Sequence, residues 1–104
     1  MEVDGYSDKP AVLCEAWARI GEPKSAQRHK IINDALKLIF LEKKLGKVCR
    51  KVIIFADEKA RQPFISPKSW VSACLKEFKI ETELVKLPPN IRKGLIAAQK
   101  RQRR

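Results

Sequence analysis

Between Pro23 and Gly46 the chain repeats apolar residues at intervals of three and four, Ile31, Ile32, Ala35, Leu36, Ile39 and Phe40, which is the period of one helix face. A strand-like segment stands on each side of this helix. Ala11 to Ile20 alternates, with Val12, Cys14, Ala16, Ala18 and Ile20 toward one side and Leu13, Glu15, Trp17 and Arg19 toward the other. Lys51 to Ala56, KVIIFA, is β-branched and short, the pattern of a buried strand. Strands connected through a helix pair parallel in one sheet, so this feature alone directs the chain to a layered α/β architecture.

The flanking segments extend that layer. Glu2 to Tyr6 reads as a short extended piece and Ser7-Asp8-Lys9-Pro10 as a turn, making a hairpin with the alternating strand. Gly21-Glu22-Pro23 breaks the strand, Lys24 or Ser25 caps the long helix, and Gly46 stops it after about Leu45. Ser66-Pro67 sets up a second helix whose apolar face is Trp70, Val71, Cys74, Leu75 and Phe78. Ile80 to Leu87 is a further strand, and Pro88-Pro89 opens a last helix through Ile91, Leu95, Ile96 and Ala98. The predicted order is β-β-α-β-α-β-α, a mixed sheet in a single domain spanning residues 1–104, with a basic C-terminal helix and tail from about residue 88.

Lysine and arginine outnumber aspartate and glutamate 23 to 12, a formal net charge of +11, and no acid follows Glu83. Such a balance selects a polyanionic partner, with an anionic membrane or a merely solvated surface as the other readings. Lys24, Arg28, Lys30, Arg92, Lys93, Lys100, Arg101, Arg103 and Arg104 are the expected phosphate contacts of a nucleic acid, DNA ahead of RNA. Cys14, Cys49 and Cys74 are odd in number, far apart and set in apolar runs, which fits buried reduced thiols better than disulfides or zinc. No apolar run approaches the roughly 18 residues of a membrane span, and the expected location is cytoplasmic. A Gly-rich phosphate loop is missing, which argues against nucleotide hydrolysis, and the lone His29 reads as a surface group.

Asp4 and Glu15 fall on neighbouring strands of the hairpin, a geometry that can bring two carboxylates to one divalent cation. Magnesium favours such a site, with water and substrate phosphate completing its octahedron. Two acids on a hairpin are equally what a solvated surface carries. Gln27, Lys30, Asp34 and Lys37 form a polar stripe along the helix, where Asp34 and Lys37 can pair with each other. Asp57, at the end of KVIIFA, reads as a turn or helix cap.

The combination of Asp4-Gly5, Glu15-Ala16-Trp17 and KSAQRHK, Lys24 to Lys30, opening a helix resembles the PD-(D/E)XK nuclease superfamily of restriction-endonuclease-like folds. That resemblance implies a mixed sheet flanked by helices and metal-dependent hydrolysis of nucleic-acid phosphodiesters. Asp4 would be the first ligand of Mg2+ or Mn2+, Glu15 the second, and Gln27 the glutamine that opens the helix. Trp17 stands where the superfamily pattern has lysine, so Lys30, with Lys24 second, is expected to replace it. The resemblance spans about residues 2–56. The superfamily core begins with a helix ahead of the first metal strand, where this sequence has Met1, so a second copy or a partner is expected to cover that side. Two further readings stay open. One keeps the fold as a nucleic-acid-binding module without catalysis; the other makes the chain a basic protein-interaction subunit, and the salt dependence of polyanion binding separates them.

Overall fold

The computed structural model describes residues 3–8 and 11–102. In it the helix between the two strand patterns sets the topology. Strands β1 (Gly5–Asp8), β2 (Ala11–Trp17), β3 (Arg50–Phe55) and β4 (Ile80–Leu84) lie side by side in chain order, β1 antiparallel to β2 and the rest parallel. Helix α1 (Ser25–Leu45) links β2 to β3, while α2 (Glu58–Arg61), a 3-10 turn (Gln62–Phe64) and α3 (Trp70–Glu77) link β3 to β4. Helix α4 (Pro89–Gln102) follows. The result is a small α/β protein with a mixed four-stranded sheet.

Both parallel connections step the same way across the sheet, so crossovers of one hand place α1, α2 and α3 on the same face. Leu13, Ile53, Phe55 and Ile80 from that face join Ile31, Ala35 and Leu38 of α1 and Ala60, Phe64 and Leu75 in one core. Phe55 and Phe64 stack with ring centroids 5.6 Å apart. On the opposite face Val52 is buried, Val12, Cys14 and Ile54 are half-buried and Ala16 is exposed. Arg50 there donates two hydrogen bonds to Glu81, at 2.9 and 2.7 Å. The expected flanking of the sheet is therefore one-sided for its three connecting helices.

Helix α1 begins and ends where the sequence places it. Gln27 Oε1 accepts the Lys24 N–H at 2.9 Å, and Gly46, with φ +67°, donates its N–H to Lys43 O at 3.2 Å. Its buried side is rolled away from the expected one. Ile31, Asp34, Ala35 and Leu38 are buried, whereas Leu36 and Phe40 are 63% and 48% exposed. The roll has an electrostatic cause, because Glu15 and Lys51 both project from the sheet toward α1, and buried charges need partners.

Several boundaries move for identifiable reasons. Strand β1 continues through Ser7 and Asp8, which pair with Val12 and Ala11, and the remaining turn residues 9–10 lie outside the described residues. Strand β2 ends at Trp17, not Ile20, because Gln99 takes both backbone groups of Ile20, at 2.6 and 2.9 Å, and Gly21 turns at φ +95°. Strand β4 stops at Leu84 rather than Leu87. Ser69, not Ser66, caps α3, its Oγ accepting the Ser72 N–H at 3.4 Å. Trp70 and Phe78, expected in the core, are 75% and 50% exposed. Gly5 is needed where it stands: a Cβ there would lie 2.5 Å from Cys14 Sγ, so glycine lets β1 approach β2 beside Asp4.

Candidate active site

The antiparallel register ends with Gly5 opposite Cys14, and Asp4, one residue before β1, reaches across to β2 beside Glu15. Asp4 Oδ2 accepts the Ala16 N–H at 2.8 Å, tying the acid to the neighbouring strand. That backbone hydrogen bond holds the Asp4 carboxyl below its ordinary value of 3.8. Glu15 is only 4% exposed. Burial pushes its carboxyl above the ordinary 4.5, Lys37 pulls the other way, and Asp4 and Asp34 add to the rise.

Lys37 Nζ stands 2.7 Å from Glu15 Oε1. The approach is an ion pair rather than an aligned hydrogen bond, since Oε1 has no donor in hydrogen-bonding geometry. One turn up the helix, Lys30 Nζ lies 2.8 Å from Asp34 Oδ1, and Asp34 is 8% exposed. The Lys30 ammonium is held above its ordinary value by Asp34 first, with the fields of Glu15 and Asp4 contributing. The polar stripe of α1 thus turns inward, onto the rim of the sheet, and three acids and two lysines share one neighbourhood.

Of the residues expected at the site, Asp4, Glu15 and Lys30 come together. Gln27 serves the first turn of α1 through its bond to Lys24, and Lys24 is exposed at the helix start. The lysine that reaches Glu15 is Lys37, and sequence reasoning missed it by pairing it with Asp34. The available signal was position: Lys37 follows Lys30 by seven residues, two helical turns along the same line. Trp17 packs against the core with its indole N–H buried and without an acceptor, and offers no charge to the site. Mg2+ is commonly held by one or two carboxylates with waters and substrate phosphate completing its shell, and the all-oxygen pair of Asp4 and Glu15 fits that requirement. Among the described residues, no group of three or more His, Cys, Asp or Glu side chains is placed to hold a metal.

The other singled-out residues have definite surroundings. Asp57 is the N-cap residue of α2, as expected, and caps it through its backbone carbonyl, while its buried carboxylate accepts the Gly21 N–H at 2.7 Å and Arg92 Nη2 at 2.9 Å. Arg92 is therefore engaged in holding α4 to the end of β3. Arg28 bonds Glu22 at 2.9 Å and the Pro23 carbonyl at 3.1 Å, while Lys93, Lys100 and Arg101 are exposed on α4. Arg103 and Arg104 lie outside the described residues. His29 is exposed; all three cysteines are unbridged, but only Cys49 is buried as expected, Cys14 and Cys74 being half-buried.

No protein-family model matches the chain, and neither does any curated protein or solved structure. Fold and site by themselves define a small α/β protein with an acid and lysine cluster where α1 crosses the edge hairpin. No described helix is long and apolar enough to cross a membrane.

Proposed function

We propose that the chain is a restriction-endonuclease-like domain that hydrolyses nucleic-acid phosphodiester bonds with a divalent metal. One observation carries the reading: Asp4 stands beside Glu15, bonded across to the next residue of β2, and Lys37 from the following helix stands 2.7 Å from Glu15. Asp4 and Glu15 would hold Mg2+ or Mn2+, which when bound supplies charge neutralisation at the phosphate and an acidified water. Ala16 fixes Asp4 in its ionised form, and the lowered Asp4 carboxyl suits a permanent anionic ligand. Lys37 balances Glu15 when the site carries no other cation and, once displaced from that carboxylate, offers its ammonium to the scissile phosphate or to the attacking water. It takes over the position that Trp17 leaves without a charge. The net charge of +11 supplies the attraction to a polyanion.

A second reading, a binding module without catalysis, is favoured by one feature, the closure of buried Glu15 onto Lys37, which satisfies the acid without metal. Calorimetric titration of Mn2+ into wild type, Asp4→Ala and Glu15→Ala, with a labelled oligonucleotide cleaved in parallel, separates the two. The nuclease reading expects metal binding and cutting in wild type and neither in the two variants. Lys37→Ala keeps metal binding and loses about 100-fold in cleavage, the scale of one positioned proton-transfer or charge-stabilising group, whereas Lys30→Ala loses much less. A folded wild type that binds oligonucleotide but no Mn2+ leaves the binding module in possession.

A further inference from the structure

On the far flank of α1 from the carboxylates lies a cleft of about 820 Å³, outside the carboxyl ends of β2 and β3. Gly21 and Glu22, just beyond β2, form one wall, and the segment from Lys59 to Ser69, which follows β3, forms the other. This is the edge of an open α/β sheet at which ligands characteristically bind, because backbone amides and helix starts gather there. Besides Glu22, its polar lining is Arg28, Lys59, Gln62, Ser66, Lys68 and Ser69.

The charges in the cleft are unequal. Its one acid, Glu22, is already paired with Arg28 at 2.9 Å. Lys59 and Lys68 are exposed and form no ion pair with any described residue. Two uncompensated ammonium groups and two serine hydroxyls around one concavity form a donor-rich surface that suits phosphate oxygens, while the Gln62 amide already donates to Glu58 at 2.8 Å. A small apolar molecule would find little to bury there. Arg28 is two residues from Lys30, about 200° around the helix, so the first turns of α1 carry the carboxylate cluster on one flank and this cleft on the other.

We infer that this cleft holds backbone phosphates of the same nucleic-acid strand whose cleavage is proposed above, and Lys59 and Lys68 make the contacts. The inference rests on that nucleic-acid reading. A strand seated there crosses the start of α1, where Lys24 is exposed, before it reaches Asp4 and Glu15. The cleft contributes affinity and register, and no sequence preference, because phosphate contacts carry none.

The test is the salt dependence of binding of a fluorescein-labelled single-stranded oligonucleotide to the full chain, for wild type and the double variant Lys59→Ala/Lys68→Ala. The double variant replaces exposed side chains, and circular dichroism melts confirm folding. Loss of two phosphate contacts lowers the slope of log K against log salt by about 1.4 for a single strand. The Lys59/Lys68 variant shows that drop, with Mn2+ binding at Asp4 and Glu15 unchanged. An unchanged slope with intact wild-type binding overturns the cleft assignment while leaving the nucleic-acid reading standing. Absence of salt-dependent binding in wild type overturns both. A mononucleotide 5′-phosphate that competes as well as the oligonucleotide assigns the cleft to a free phosphomonoester and overturns the strand assignment.

Discussion

Helix α1 is fastened to the sheet by two lysine–glutamate pairs of opposite polarity, and they are built differently. In the lower pair the acid is on the helix: Glu42 meets Lys51 of β3 at 2.9 Å and also accepts the Cys49 N–H at 2.9 Å. Burial would raise the Glu42 carboxyl, but Lys51 and the Cys49 amide outweigh it, and the group sits below its ordinary 4.5. In the upper pair the acid is on the strand. Glu15 has Lys37 at 2.7 Å, has two other acids nearby, and sits above 4.5. The Glu42 carboxylate is backed by a backbone amide, whereas that of Glu15 is opposed by burial and neighbouring acids, and such a carboxylate gains from an added cation.

The largest test of that contrast is stability. Lys51 is 5% exposed, so Lys51→Ala strands Glu42 and costs about 3 kcal/mol in urea unfolding, the scale for breaking a buried pair. Glu15→Gln removes a charge that burial disfavours and stays within about 1 kcal/mol of wild type while abolishing Mn2+ binding. Equal losses in the two variants would erase the distinction.

The pH dependence separates the pairs by sign. A carboxyl held low when folded contributes stability that is complete above 4.5 and disappears as pH falls through its folded value, so Glu42→Gln flattens the acid limb of the stability curve. A carboxyl held high when folded does the reverse. Its penalty is absent below 4.5 and develops as pH rises from there through the folded value, so Glu15→Gln removes a decline that sets in above 4.5. Urea midpoints from about pH 3 to about pH 7 read both. Last and smallest, Lys30→Ala breaks an i,i+4 pair whose lysine is 62% exposed and costs about 0.4 kcal/mol. A loss above about 1 kcal/mol would mean that Lys30 holds the strand acids directly.

Much of this arrangement was legible in the sequence, at the level of periods and breakers. The alternation around Glu15, the helix ended by Gly46 and the β-branched KVIIFA run placed β2, α1 and β3, and hence Asp4 and Glu15 side by side. What periodicity could not give was the rotation of α1. Ile31, Ala35 and Leu38 define its buried line as well as Ile32, Leu36 and Phe40 would, and the choice is made by Glu15 and Lys51 across the interface. Lys37 was therefore visible as a stripe member and invisible as the partner of Glu15. Helix α2, four residues long, is too short to show a period at all. Arg92 and Asp57, 35 residues apart, carried no local sign of their meeting.

Among the described residues, helix α4 contributes none to the buried core and is held by Arg92 on Asp57 and by Gln99 on the backbone of Ile20. Such an attachment gives it an opening free energy of its own, separate from global unfolding, because few buried apolar contacts are lost when it detaches. In native-state hydrogen exchange its amides would exchange well before those of β3. The most basic helix of the chain is thus held on a latch whose release uncovers Asp57.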